Sequence, residues 1–254
     1  MNEPANSAAP HAFEPSPGLL SFLTQGRGRK VLAAVIDYFH ATLEGKEHIP
    51  REGGALIVSN HALWALDTVA LSALIMRDVG RNPRFLAERK LWTIPGFHQL
   101  ITALGALPGE PHAAEALLRR GELVVVYPGG VDDSLKLSRD RYRLKWKTRA
   151  GFARVALAAR TPIVPVVGLG IDEMYSVVAR ERWLGRRIFG SERYDLPLAF
   201  GAFGTPVPRR VQLTYIAVPP IVPEGDPASK QEVERLRAAT YDAIDSRLRT
   251  VRGA

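Results

Sequence analysis

The chain has 254 residues, 46% hydrophobic and 24% charged, which fits one large α/β domain with ample material for a core. It contains no cysteine, which excludes disulfides, a thiolate nucleophile and Cys-ligated zinc, so acyl chemistry here would not pass through a cysteine-bound acyl group. The net charge of +8 favours nucleic acid, anionic membrane or phosphorylated small molecules in general, and equally a plain surplus of surface Arg until the charges are shown to cluster.

Residues 1–18 are rich in Ala, Pro, Ser and Glu and lack the basic-then-apolar order of a secretory signal. They are expected to be a disordered leader on a cytoplasmic protein, with a single domain over residues 19–254. No window offers the roughly 18 uninterrupted apolar residues of a membrane-spanning helix. Leu19 to Leu43 reads as largely helical, with Val31, Leu32, Val35, Ile36, Tyr38 and Phe39 on one apolar face, and is a candidate for membrane contact. Glu44 to Gly54 is a turn-rich entry punctuated by Gly45, Pro50, Gly53 and Gly54.

Ala55 to Val58 is a short buried-strand candidate and Leu63 to Arg77 a helix. Phe85 to Leu91 is ambiguous. A loop around Pro95-Gly96 leads to His98 to Leu104, then Leu107-Pro108-Gly109 and a helix from Pro111 to Arg120. Leu123 to Tyr127 is a second buried strand by its β-branched content, stopped by Pro128-Gly129-Gly130. Thr148 to Arg160 is helical, Pro162 to Val167 a third strand closed by Gly168 and Gly170, Val211 to Val218 a fourth, and Ser229 to Val251 a terminal helix. This rhythm implies a mixed, mostly parallel sheet flanked by helices on both faces.

Two places in that scheme could carry chemistry. The first is Asn60-His61, where an apolar strand ends and a helix begins, the location at which α/β sheets place their sites. Asp67 follows, and on one ideal helix a six-residue spacing is about 240° of rotation, so the pair would not share a face. They meet only if His61 lies in the loop and Asp67 in the first turns of the helix. A histidine taken alone is more often a surface or hydrogen-bonded residue, and Asp67 alone an acid favoured by the helix dipole. The second place is Tyr127-Pro128-Gly129-Gly130, where paired glycines after a strand let backbone N–H groups approach an oxyanion or phosphate; a plain tight turn explains them equally.

Taken in order, Asn60-His61 with Asp67, Tyr127-Pro128-Gly129-Gly130, and Pro162-Ile163-Val164-Pro165-Val166 resemble blocks of the glycerolipid (lysophospholipid) acyltransferase superfamily. Gly45 and Ile49-Pro50 match its usual lead-in, and the similarity spans about residues 40–220. Within the superfamily the chain is similar to the branch of phytyl ester synthases and type-2 diacylglycerol acyltransferase relatives. That branch has a Pro-Gly-Gly third block, and Tyr142-x-Leu144-x-Trp146 before Gly151-Phe152 also looks like it.

The departures are informative. Five residues separate His61 from Asp67, as in the neutral-lipid branch, where phospholipid-making members usually have four. Gly129 stands where those members carry Glu, and Val131, Asp132 and Asp133 follow where Thr and a basic residue are usual. Their second block supplies an Arg for the acceptor's phosphate, and Gly105-Ala106-Leu107-Pro108-Gly109 has none. These differences weigh against a glycerol-3-phosphate or lysophosphatidate acceptor and leave the acyl-transfer step untouched.

The resemblance implies a glycerol-3-phosphate acyltransferase-like fold and a membrane-associated O-acyltransferase. His61 would be the general base that takes a proton from a lipid hydroxyl, and Asp67 the carboxylate that orients it. Asn60, Tyr127, Pro128, Gly129 and Gly130 would form the oxyanion and substrate surroundings, where one donor is typically worth roughly 3 kcal/mol. The acyl donor would be acyl-coenzyme A or acyl carrier protein, used as co-substrate with no other cofactor and no metal. The acceptor stays open between a lysophospholipid and diacylglycerol or a long-chain alcohol. The expected location is the cytoplasmic face of a membrane, peripheral or monotopic, with no nucleic-acid partner. The competing reading is a non-catalytic peripheral lipid-binding protein on the same scaffold.

Two further stretches carry charge. Arg139, Arg141, Arg143, Lys145, Lys147 and Arg149 occupy every second position, so an extended segment would show them on one side and Tyr142, Leu144 and Trp146 on the other. They could meet lipid headgroups or the phosphates of the acyl donor, or form a solvated edge strand. From Tyr175 to Phe203, apolar residues including Trp183 alternate with Arg180, Arg182, Arg186 and Arg187. That is the composition of an interfacial anchor, or of a helix packed on the core with exposed Arg. Gly168-x-Gly170 lacks the third glycine of a dinucleotide loop, and no Gly-x-Ser-x-Gly elbow is present.

Overall fold

The structure, a computed structural model, describes residues 27–87, 105–181 and 196–252. Its centre is a sheet built from β1 (Thr42–Glu44), β2 (Ala55–Ser59), β3 (Arg84–Ala87), β4 (Ala106–Pro108), β5 (Leu123–Val126), β6 (Ile163–Leu169) and β9 (Thr214–Ala217). The spatial order is β1-β9-β6-β2-β5-β3-β4. From β6 through β2, β5 and β3 to β4 all neighbours are parallel, whereas β9 runs antiparallel to β6. β7 (Ser176–Glu181) and β8 (Leu196–Phe200) pair separately as an antiparallel hairpin.

Every residue of β2 and β5 is buried, as a strand covered on both faces requires. Alternation then sorts their side chains. Ile57, Val125, Val164 and Val166 face α1 (Arg27–Tyr38) and α2 (Leu66–Asp78) through Ile36, Phe39, Leu71 and Leu74. Leu56, Val58, Val124 and Val126 face the other layer. There they meet Leu117 of α3 (Pro111–Arg119), Phe152 and Ala156 of α5 (Gly151–Ala159), and Leu236 and Ile244 of α6 (Lys230–Arg252). A single short helical turn, α4 (Gly130–Ser134), follows β5.

The sheet is therefore mixed, mostly parallel and covered on both faces, as expected. Four apolar runs became β2, β5, β6 and β9. The helix anticipated over Leu19 to Leu43 ends at Tyr38; His40 takes a left-handed φ of 44°, and the chain turns into β1. Ser176–Glu181 is a strand rather than part of a helix, pairing with β8 across a bulge at Val177/Ala179. The leader, Arg182, Trp183, Arg186, Arg187 and the stretch from Lys90 to Leu104 fall outside the described residues.

What matters for function is register. β2 and β5 are in parallel register with Val58 opposite Val126, and β2 and β6 with Ser59 opposite Val166. The three loops that leave these strands, beginning at Asn60, Tyr127 and Gly170, therefore emerge together at the carboxyl edge of the sheet.

Candidate active site

The loop after β2 solves the spacing problem between His61 and Asp67. Leu63–Ala65 form one 3₁₀ turn in which Trp64 (φ 63°) and Ala65 (φ 54°) are both left-handed, a conformation costly for residues with a Cβ. The kink delays α2 to Leu66, so Asp67 sits in its first turn and points back beneath the loop. His61 Nδ1–H then donates to Asp67 Oδ2 at 2.8 Å, and the Ala62 N–H donates to the same oxygen at 3.2 Å. The Asp67 side chain is 1% exposed and the imidazole 16%, so the carboxylate is inside and the ring still reaches solvent. With Nδ1 committed to the carboxylate, Nε2 carries the lone pair.

Tyr127, first residue after β5, stacks on the imidazole with ring centroids 4.2 Å apart and planes 19° from parallel. Burial, with the nearby Asp67 carboxylate, pushes its phenol well above the ordinary value, so it stays protonated. Tyr215 of β9 donates its hydroxyl to the Asp67 carbonyl at 2.8 Å and fastens the start of α2 to the sheet.

Asn60 serves the backbone. Its amide donates to the Gly168 carbonyl at 2.9 Å and accepts from the Gly168 N–H at 2.8 Å, with the residue 1% exposed. Both ends of the amide of Asn60, expected in the substrate surroundings, are occupied by β6, and Asn60 fixes where His61 leaves the sheet. Gly130 also bonds to its own backbone. Its N–H, expected as an oxyanion donor, turns back to the Tyr127 carbonyl at 2.9 Å. Gly129 is required for space, since a Cβ there would overlap Cβ and Cγ of Asp133, and its carbonyl accepts from Arg149 Nη1 at 2.7 Å.

A residue that the sequence did not single out joins the three loops. Lys136, after α4, is 7% exposed. Its ammonium donates to the His61 carbonyl at 3.2 Å, pairs with Asp172 at 2.9 Å and lies 3.6 Å from Asp133. Burial works against its charge, but the carboxylates of Asp172 and Asp133 outweigh this, and its pKa is raised. Asp133 is raised chiefly by burial, partly offset by Lys136. A lone Lys behind two acids gives no sequence signal, because its 2.9 Å partner Asp172 arrives 36 residues later and the His61 carbonyl comes from 75 residues earlier. Beside this cluster a small cleft opens between Ala62, Leu63, Lys136, Arg141, Tyr175 and Val177.

The alternating basic stretch is not a strand. Ser138–Asp140 is a 3₁₀ turn, and Tyr142 and Lys147 have left-handed φ values of 59° and 54°. The burial alternation survives, with Tyr142, Leu144 and Trp146 inside, because Trp146 and Phe152 pack against each other edge to face. The cations do not share one free face: Lys145 pairs with Asp140, Lys147 and Arg149 with Asp132, and Arg141 Nε donates to the Asp172 carbonyl. Arg139 and Arg143 are exposed. Among the described residues no group of three or more His, Asp or Glu stands ready for a metal ion.

Residues 40–168 match the family described as Acyltransferase. The chain is 33% identical over 223 residues to a Bos taurus protein named DGAT1/2-independent enzyme synthesizing storage lipids, covering 86% of this chain and 63% of that one. The Homo sapiens protein of the same name is 33% identical over 199 residues, covering 73% and 61%. An uncharacterised protein of Mycobacterium tuberculosis is 31% identical over 185 residues, covering 70% and 51%. The chain thus spans less than two thirds of the length of these relatives. In fold it is similar to the 1-acyl-sn-glycerophosphate (LPA) acyltransferase PlsC of Thermotoga maritima, with a TM-score of 0.57, 20% identity, and 93% of this chain and 88% of that one covered.

Proposed function

The chain belongs to the acyltransferase family, and from that premise we propose that it moves a fatty acyl group from an acyl thioester to the hydroxyl of an uncharged lipid, with His61 as general base. The observation that carries this reading is the 2.8 Å His61–Asp67 hydrogen bond at the carboxyl edge of the sheet.

The chemistry needs few parts. His61 Nε2 takes the acceptor's hydroxyl proton as its oxygen attacks the thioester carbonyl. Asp67 holds the imidazole in the tautomer with Nε2 free and stabilises the imidazolium that forms. The tetrahedral intermediate collapses with loss of the thiolate, which recovers the proton from Nε2, and the base returns to its starting state. Because the Gly130 amide is spent inside its turn, the neighbouring amides of that loop are the donors left for the oxyanion. The thioester is already activated, so the step needs no acyl-enzyme.

An uncharged acceptor such as diacylglycerol or a long-chain alcohol is favoured on two grounds. Ala106–Pro108, in the place of the family's phosphate-binding block, is a buried apolar strand without a cation. The cattle and human relatives are named for storage-lipid synthesis. The donor is coenzyme A- or carrier-protein-bound, and a membrane surface supplies the acceptor. Among the described residues no helix is long and apolar enough to cross a bilayer.

The test is incubation with labelled acyl-coenzyme A and a panel of diacylglycerol, long-chain alcohol and lysophosphatidate. Acylation of the first two above lysophosphatidate is expected. Preference for lysophosphatidate would reverse the acceptor assignment, and no acylation of any would favour lipid binding without catalysis.

A further inference from the structure

We propose that the β7–β8 hairpin and the loop that follows it form the surface by which this protein docks on an anionic bilayer, with the small cleft between Leu63, Lys136 and Val177 opening at that contact. The choice of a lipid surface rests on the acyl-transfer reading.

The register divides the hairpin into two faces. Val177 pairs with Ala199, and both pack inward on the core, Val177 also lining the cleft beside Leu63. Leu198 and Phe200, one residue to either side of Ala199, point away from the core and are exposed, as is Val178 at the bulge. The exposed row continues into the loop. The Gly201 and Ala202 N–H groups donate to the Thr205 and Val207 carbonyls and close residues 201–207 into a compact turn, and Tyr175 anchors it by donating to the Pro206 carbonyl. Phe203 stands at its tip in a left-handed conformation, fully exposed, and Val207 is exposed beyond it. Trp64 adds a third aromatic, 62% exposed and next in sequence to Leu63, which lines the cleft.

Among the described residues nothing covers this set. Single exposed apolar residues are ordinary, but several on one hairpin beside a cleft mark an interaction surface. The charges around its base select the occupant. Arg209 donates to Ser176 at the start of β7, Arg210 beside it is exposed, and Arg139 is exposed in the turn whose Ser138 hydroxyl accepts from the Val177 N–H. Aromatic and aliphatic side chains ringed by Arg match the boundary of a bilayer carrying anionic headgroups. The cleft lined by Val177 and Leu63 lies immediately inside that ring, so a lipid alcohol could pass from the bilayer towards His61 without crossing water.

The experiment compares the parent with the variant V178S/L198S/F200S/F203S by flotation with two kinds of vesicle, phosphatidylcholine alone and phosphatidylcholine with phosphatidylglycerol. Circular dichroism and thermal melting verify that both are folded. The parent should float with the anionic vesicles, and the variant should lose about tenfold or more of that partitioning, given four apolar groups no longer buried. Thiol release from acyl-coenzyme A with a water-soluble alcohol should be alike in both. Equal flotation of parent and variant, or no flotation of the parent with either vesicle, would overturn the assignment. So would a parent dimer that the four substitutions dissociate, because the face would then bind a second copy. Absence of thiol release from the parent would instead refute the acyl-transfer reading and leave the flotation result standing.

Discussion

In the proposed mechanism His61 works through its hydrogen bond to Asp67, so the two ends of that bond should fail differently. Replacing His61 by Ala removes the base and should abolish transfer with the melting temperature little changed, since the ring is stacked at the surface of the site. Asp67→Asn keeps the shape but can reverse the bond and favour the wrong tautomer; a loss of about 10⁴-fold in kcat is the precedent for such a change in a His–Asp pair. Steady-state thiol release reads both. Lys136 is a positioning residue whose charge is held between Asp172 and Asp133. Lys136→Met should cost about 3–5 kcal/mol at neutral pH by leaving those carboxylates buried and unpaired. Because the folded-state pKa of Lys136 is raised, its stabilisation is complete below the unfolded value of about 10.4 and is lost as pH climbs through the folded one. Denaturant titrations across that alkaline window should show the loss in the parent and not in Lys136→Met.

At the scale of elements, the Tyr127–Gly130 turn makes the sharpest prediction. Gly129 has an ordinary φ but no room, whereas Gly130 has room but a φ of 50°. Gly130→Ala should cost about 1–2 kcal/mol, the left-handed penalty alone. Gly129→Ala must displace Asp133, which accepts from the Lys145 N–H and supports Lys136, and should cost more and lower activity with it. Thermal unfolding of the two variants ranks them; equal costs would contradict the packing argument. The sequence made the central elements legible because fully buried strands are written as unbroken apolar runs, and β2, β5 and β6 are such runs. It left β1 and β4 unread because three-residue strands have no period to detect. It misread residues 139–149 because burial alternates there without a ladder: Trp146 and Leu144 turn inward through left-handed residues instead of a pleat. His61 and Asp67 were legible as a pair. The kink at Trp64 and Ala65 that brings them together was not, since neither residue type announces a positive φ.

Over the whole molecule, the proposed attachment combines the positive charge with the apolar hairpin. Binding to anionic vesicles should weaken as salt is raised, because exposed charges more than a Debye length of about 8 Å away at physiological ionic strength are screened. The apolar part of the attachment should persist, leaving a residual affinity that the hairpin substitutions remove. A sedimentation series over increasing salt separates the two contributions. The carboxyl edge of the parallel strands carries His61, and Val177 of β7 lines the cleft beside the His61 loop. Whether His61 is the base is decided by product analysis by mass after incubating labelled acyl-coenzyme A, a lipid alcohol and either the parent chain or folded His61→Ala. An acylated lipid from the parent and none from the variant is the predicted result; the same yield from both would contradict His61 as the base.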